Sequence, residues 1–529
     1  MFRTAAAALI VLSAISCSGS QNDAPAKTAP SAFHGNDNPA VPLAGVLDLE
    51  FDVPAALVIE VSGGGEEWSV TRAAATKFHE PIVGLRPGTK YTVSAQVTTD
   101  AESYSVGPFD WTTPSLPKDF PPLGVAVSKP SQMEPGMTAF NPWVNAGKRI
   151  PLVIVDQDGV VRWYYEGYRV FDDHTRLPNG NFLFTPDECV LMEVDILGNL
   201  VRSWYAAKHP AGCESVPAGS IPVDIESIHH EETLLPNGNL LVLSTEGRWV
   251  DDFPTSEDDP NAPRARTYGV GCVIVEFAST GELVKYIPLM DLLDPTRIGR
   301  GTLPGEQDDP PWGVIAAYAE QQGVAVADWD HANAVVYEEG SDSYYVSLRH
   351  QDAVVKVNRS TESLTWILGT PSNWKSPWKE KLLSPVGELQ WPYHQHAVQV
   401  SAAGVGMYDN GNYRASAFES PATTEYSRAV IYSVDEQAMT VQQTWSYGAP
   451  SGADSFFCKA MGSATWLPGT GNVLIANAIL PSKKQDRTSA QILEVAPDGT
   501  RLFELNVGGV AANTWYLMHR VRHIADIRE

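Results

Sequence analysis

The chain has 529 residues, of which 43% are hydrophobic and 19% charged. That is more than one ordinary domain needs and ample material for a large core. Its 42 Gly, 39 Pro and 15 Trp point to many turns and a β-rich fold. With 63 acidic against 37 basic residues, the formal charge is -26. This excludes a nucleic-acid-binding role, which needs clustered Lys and Arg. Any anionic ligand must be held by a local positive site against the overall field.

At the N-terminus Arg3 precedes an apolar run from Ala5 to Ile15 and then Ser16-Cys17-Ser18. The run is too short to span a bilayer and reads as an export signal, residues 1–17. Cys17 resembles the lipidated cysteine of bacterial lipoproteins, with a plainly cleaved signal as the alternative. Residues 18–38, rich in Ser, Ala, Pro, Asn and Asp, then form a flexible tether. The expected location is the periplasm or cell envelope, with lipid on Cys17 holding the protein to the outer membrane. Cys189, Cys213, Cys272 and Cys458 permit up to two disulfides in an exported protein, and spacing does not fix the pairing.

Residues 39–116 alternate apolar and polar positions, as in Ala56-Leu57-Val58-Ile59-Glu60-Val61. Leu85-Arg86-Pro87-Gly88-Thr89-Lys90-Tyr91 resembles the tyrosine corner of fibronectin type III domains, so a small fibronectin-III or Ig-like β-sandwich is expected. The prolines at 114, 117, 121 and 122 mark its end.

From 117 to 529 one pattern recurs: an apolar strand, a polar or glycine turn, and a strand carrying an aromatic residue. The copies centre on Asp158-Gly159 before Trp163, Gly198-Asn199 before Trp204, and Gly281-Glu282 before Tyr286. They continue at 360–362 before Trp366, Asp435-Glu436 before Trp445, and Asp498-Gly499 before Phe503. Six copies predict an all-β, six-bladed propeller, with the stretch from Trp515 to Ile524 closing the ring.

Within the repeats, His174, His230, His331 and His396 each precede a turn glycine, at 180, 238, 340 and 404. That spacing places them on the innermost strands, where they converge. His331 and Asn333 stand two apart, as on one strand face, and so do His394 and His396. Arg349 has no neighbouring acid in sequence, which suits anion binding. Several imidazoles with an arginine fit a tetrahedral oxyanion, one neutral imidazole attacking its central atom. A metal held by three histidines is the other reading, although an arginine beside a cation would be repulsive.

The residues also match a family. His229-His230-Glu231 with Leu235-Pro236-Asn237-Gly238-Asn239, His331-Ala332-Asn333, Ser347-Leu348-Arg349-His350-Gln351, Trp366-Ile367-Leu368-Gly369, Gln395-His396-Ala397 and Tyr408-Asp409-Asn410-Gly411 occur in an order that resembles bacterial arylsulfate sulfotransferases. The resemblance implies sulfuryl transfer from a phenolic sulfate ester to a phenol, with no cofactor or metal. It implies that His396 becomes sulfated in a ping-pong reaction, with His331, Arg349 and His230 as catalytic partners and Asn333 and His229 binding substrate. His230 is expected to give a proton to the leaving oxygen or stabilise it. Trp374, Trp378 and Trp391 are candidates for an aromatic mouth. The partners are then a small aryl sulfate and a phenol, with no nucleic acid. Family members carry a disulfide shortly before the reactive histidine, whereas this chain has no cysteine between 273 and 457. A metal-dependent hydrolase and a non-catalytic propeller lipoprotein stand as the alternatives.

Overall fold

The computed structural model describes residues 32–144, 151–304, 313–482, 486–509, 511 and 513–528. The export signal, Cys17 and most of the tether lie outside them. The fold is nearly all β.

In the N-terminal unit, strands Ala32–Gly35, Gly45–Gly63, Glu66–Ile82, Lys90–Thr98 and Ser103–Thr112 join in one connected sheet, where a two-sheet sandwich was expected. The reason is the long Gly45–Gly63 strand, which pairs with three others and shifts register between Glu50 and Ala55. Such irregularities bend a strand, and the apolar face closes over Leu47, Leu57, Val61 and Val93. The tyrosine corner is present: the Arg86 backbone N–H donates to the Tyr91 hydroxyl at 2.9 Å.

The remaining strands form six sheets, blades 1 to 6. From the channel outwards, blade 1 uses Tyr516–Ile524, Met137–Val144, Leu152–Val155 and Val161–Tyr165. The innermost strands of blades 2 to 6 are His174–Arg176, His229–Leu234, Ala332–Glu338, His396–Ser401 and Ser463–Trp466. Each innermost strand touches the next, and blade 6 returns to blade 1, so the ring is closed. Closure uses both ends of the chain. The C-terminal strand lies innermost in blade 1, and Leu123–Ser128 adds to the outer edge of blade 6. Each sheet of the ring has at least four strands among the described residues.

The six repeat turns are the hairpins between the third and fourth strands of each blade. Their aromatic residues join one blade to the next. The indole N–H of Trp163 donates to the Ile196 carbonyl, Trp204 to Ser279, and Trp445 to Pro497, while Trp366 donates to the Glu436 carboxylate. Each acceptor sits in the matching hairpin of the following blade. Both Leu-Pro-Asn-Gly-Asn turns send two asparagine amides onto one buried carboxylate, Asn179 and Asn181 onto Glu193, and Asn237 and Asn239 onto Glu276. Local turn chemistry and blade packing therefore select the same register.

Cys189 and Cys213 form a disulfide in blade 2, far in sequence from His396, while Cys272 and Cys458 are free and buried.

Candidate active site

Four innermost strands share one irregularity. Register shifts fall between Met518 and Val521 in blade 1, His229 and Glu232 in blade 3, Ala332 and Ala334 in blade 4, and His396 and Gln399 in blade 5. A bulge leaves residues unpaired and re-aims their side chains. The residues left between paired positions are His519 and Arg520, His230 and Glu231, Asn333, and Ala397 and Val398, with His331 and His396 directly beside the last two bulges. Two of the bulges contain a non-glycine residue at positive φ, His230 at 62° and Ala397 at 56°, and His331, at 44°, stands just ahead of a third. Each such conformation costs on the order of 1–3 kcal/mol and persists only where its surroundings impose it. Blades 2 and 6 have no bulge at His174 or Ser463.

The bulges gather the imidazoles. The His331 ring lies 5.3 Å from His230 and 4.9 Å from His350, and His230 lies 5.6 Å from His519. His396 and His230 feel the charges of the same group, and Arg349 acts on His396.

Hydrogen bonds fix the tautomer of His396. Asn410 donates through Nδ2 to the carbonyls of Cys458 (2.8 Å) and Met461 (2.9 Å), so its Oδ1 faces His396 Nδ1 at 2.7 Å. An amide oxygen only accepts. Nδ1 must therefore carry the proton, and Nε2 keeps its lone pair, which the Met461 backbone N–H meets at 3.2 Å. Burial, and then the Arg349 charge, hold the ring well below the usual histidine range. His396 is thus a neutral imidazole with a defined nucleophilic nitrogen. Gly411 follows Asn410 at φ 73°, where a side chain would strike the Tyr426 carbonyl. The turn sets Asn410 against His396.

His229 and His230 are linked in the same way. His229 Nε2 faces the Ser244 carbonyl at 3.2 Å, and the two Nδ1 atoms meet at 2.8 Å. Burial pushes His229 down to about 3 and His230 well below the usual range, so both are neutral. The carbonyl requires a proton on His229 Nε2. His230 therefore donates through Nδ1 and presents Nε2 as an acceptor. His229 acts through His230.

His331 Nδ1 faces the Asp328 carboxylate at 2.5 Å. His350 Nδ1 donates to the Asp328 carbonyl at 2.8 Å, and its Nε2 receives Arg349 Nη1 at 2.5 Å. Arg349 is buried beside His350, and its charge acts on His396. Asp328, His331 and His350 also offer ligand atoms within 4.8 Å of one another. However, both His350 nitrogens are already engaged, and a cation there would face the Arg349 guanidinium.

Several expectations need correcting. Asn333 and His331 do not share a strand face, because His331 precedes the strand at positive φ and a bulge follows. The Asn333 amide donates instead to the Gln395 carbonyl at 2.8 Å, tying blade 4 to the backbone beside His396. His394 lies at the edge of the imidazole cluster, its ring 6.0 Å from that of His350, and it precedes the strand that begins at His396: its Nδ1 meets Asp352 at 3.1 Å and its Nε2 the Arg300 carbonyl at 3.1 Å. Trp374, Trp378 and Trp391 pack in hydrophobic clusters rather than around a mouth. His174 lies on its innermost strand, fully buried beside Asp173 and pushed down to about 4 by burial.

Sequence reasoning missed Asp328, His350, Asn410 and His519. It also missed a buried ionic network along the channel, in which Arg520 and Arg522 pair with Asp173 and Glu231.

Fold and site together define a closed six-bladed propeller whose channel wall carries imidazoles around one buried guanidinium. Residues 125–516 match the arylsulfotransferase (ASST) family, and the chain belongs to that family. It is 27% identical over 352 residues to arylsulfate sulfotransferase AssT of Escherichia coli O6:H1 (strain CFT073), covering 57% of this chain and 53% of that protein. It is 26% identical over 354 residues to arylsulfate sulfotransferase AssT of Lelliottia amnigena, with the same coverage. The chain thus spans about half the length of the curated relatives it matches. Among solved structures, a Bacteroides caccae protein of unknown function is similar at TM-score 0.28 and 12% identity, covering 88% of this chain and 99% of that one.

Proposed function

We propose that this protein is an arylsulfate sulfotransferase, moving a sulfuryl group from a phenolic sulfate ester to a phenol through a sulfohistidine at His396. The observation that carries the reading is the tautomer lock. Asn410 fixes the proton on His396 Nδ1 and leaves Nε2 as a nucleophile close to the charge of Arg349.

Arg349 and His331 hold the sulfonyl oxygens and stabilise the charge that develops on them. His396 Nε2 attacks sulfur in line. The N–S bond forms, the S–O bond breaks, and its electron pair leaves on the phenolate oxygen. An acceptor phenol, giving up its proton to a base of the channel, then attacks the same sulfur; the N–S bond breaks and its electron pair returns to His396. Asn333 positions the Gln395–His396 backbone, and the pair His229–His230 offers an acceptor nitrogen. No cofactor enters. The supporting facts are family membership and the relatives' names, joined to this geometry.

The test is transfer from 4-nitrophenyl sulfate to phenol by wild type and His396→Ala side by side. A loss of roughly 10³-fold or more is expected, and normal transfer by the variant would overturn the reading. The Asp328–His331–His350 group favours a metal-dependent hydrolase as the second reading. It requires loss of activity in chelator, whereas the sulfohistidine route keeps full activity there.

We also propose that the chain is exported and tethered through lipid on Cys17. Cys17→Ser would then move the protein from the membrane to the soluble fraction; retention in the membrane would contradict the tether.

A further inference from the structure

We propose that His519 is the proton carrier of this reaction, protonating the departing phenolate oxygen and taking the proton back from the acceptor phenol. The proposal rests on the sulfuryl-transfer reading above. Its first support is position. The bulges that contain His230 and adjoin His331 and His396 have a counterpart in the closing strand between Met518 and Val521, and that bulge contains His519. The ring lies 5.6 Å from His230 and belongs to the group of charges acting on His396. The His519 carbonyl accepts from the Gly462 N–H at 3.2 Å, one residue from the Met461 N–H that meets His396 Nε2.

The second support is its freedom. His396 is locked by Asn410, His229 with His230 by the Ser244 carbonyl, and His350 by Arg349 and the Asp328 carbonyl. His331 is held on a carboxylate. His519 is buried, and its Nδ1 has no hydrogen-bond partner among the described residues. Its ring is not committed to one tautomer, which a group that both gives and takes a proton requires.

The step balances. An aryl sulfate brings negative charge, which favours an imidazolium, and His519 takes up one proton from water. As the S–O bond breaks, that proton passes to the leaving oxygen, giving a neutral phenol and neutral His519. As the acceptor oxygen bonds to sulfur and the N–S bond breaks, the acceptor's proton returns to His519.

The test compares wild type, His519→Gln and His519→Asn with two donors, phenyl sulfate and 4-nitrophenyl sulfate, using thermal unfolding to check the fold. The nitrophenolate is the more acidic leaving group and needs little protonation. Both variants are expected to lose on the order of 10²-fold or more with phenyl sulfate and less than about tenfold with 4-nitrophenyl sulfate. An equal loss with both donors, or no loss with either, overturns the proposal. If wild type transfers from neither donor, the sulfotransferase reading itself fails.

Discussion

At the scale of single residues, partners decide chemistry more than residue type does. Among the described residues six buried histidines are held below their ordinary range; His350 and His396 both combine a placed Nδ1 proton with the Arg349 charge, but the guanidinium occupies Nε2 of His350 and not that of His396. Asn410 is the positioning residue of His396. Asn410→Ala should slow sulfation of His396 by about 10- to 100-fold, and Asn410→Asp, which keeps an acceptor at Nδ1, should recover part of that rate. Single-turnover mass labelling with 4-nitrophenyl sulfate would measure both. His174 makes a second residue-level prediction. Its folded pKa is lowered to about 4, so the unfolded chain binds its proton first. Stability is therefore lost as pH falls from about 6.5 towards that value. Between pH 7 and pH 5 the loss amounts to about 2 kcal/mol. His174→Gln should remove it, so denaturant unfolding should show the variant gaining on wild type by that amount at pH 5. An unchanged difference between the two pH values would contradict the assignment.

At the scale of elements, hairpins were the most legible part of the sequence. A glycine or polar turn before an aromatic residue is a local signal, and all six such copies proved to be third-to-fourth-strand hairpins. The bulges were not legible, because they depend on how an innermost strand meets its neighbour. Two-residue alternation consequently paired His331 with Asn333, whereas the backbone turns at positive φ between the hairpins. His519 was hidden for a related reason: it lies in a strand recognised only as a ring closure, without the histidine–turn spacing of the other repeats. The indole links between blades give this scale its prediction. Trp204→Phe strands the Ser279 carbonyl and should cost about 1–3 kcal/mol, while Trp204→Ala adds a cavity and should cost about 3–5 kcal/mol. Denaturant unfolding with unchanged m-values would check both; equal costs would show that the hydrogen bond contributes nothing.

At the scale of the whole molecule, closure of the ring and assembly of the site are one event. The C-terminal strand completes blade 1, delivers His519, and sends Arg520 to the Asn333 carbonyl and the channel acids. Removing residues 516–529 should therefore abolish cooperative unfolding together with activity; a folded, active truncation would contradict this closure. The overall negative charge is compatible with an anionic donor because Arg349 sets a buried guanidinium charge close to His396. The central claim is a covalent intermediate on His396. Its most direct test is to mix the protein with 4-nitrophenyl sulfate alone, quench, digest and weigh the peptides. The account predicts one added sulfuryl group on the peptide containing His396, lost when phenol is added before the quench. Release of nitrophenol with no mass added to that peptide would contradict it.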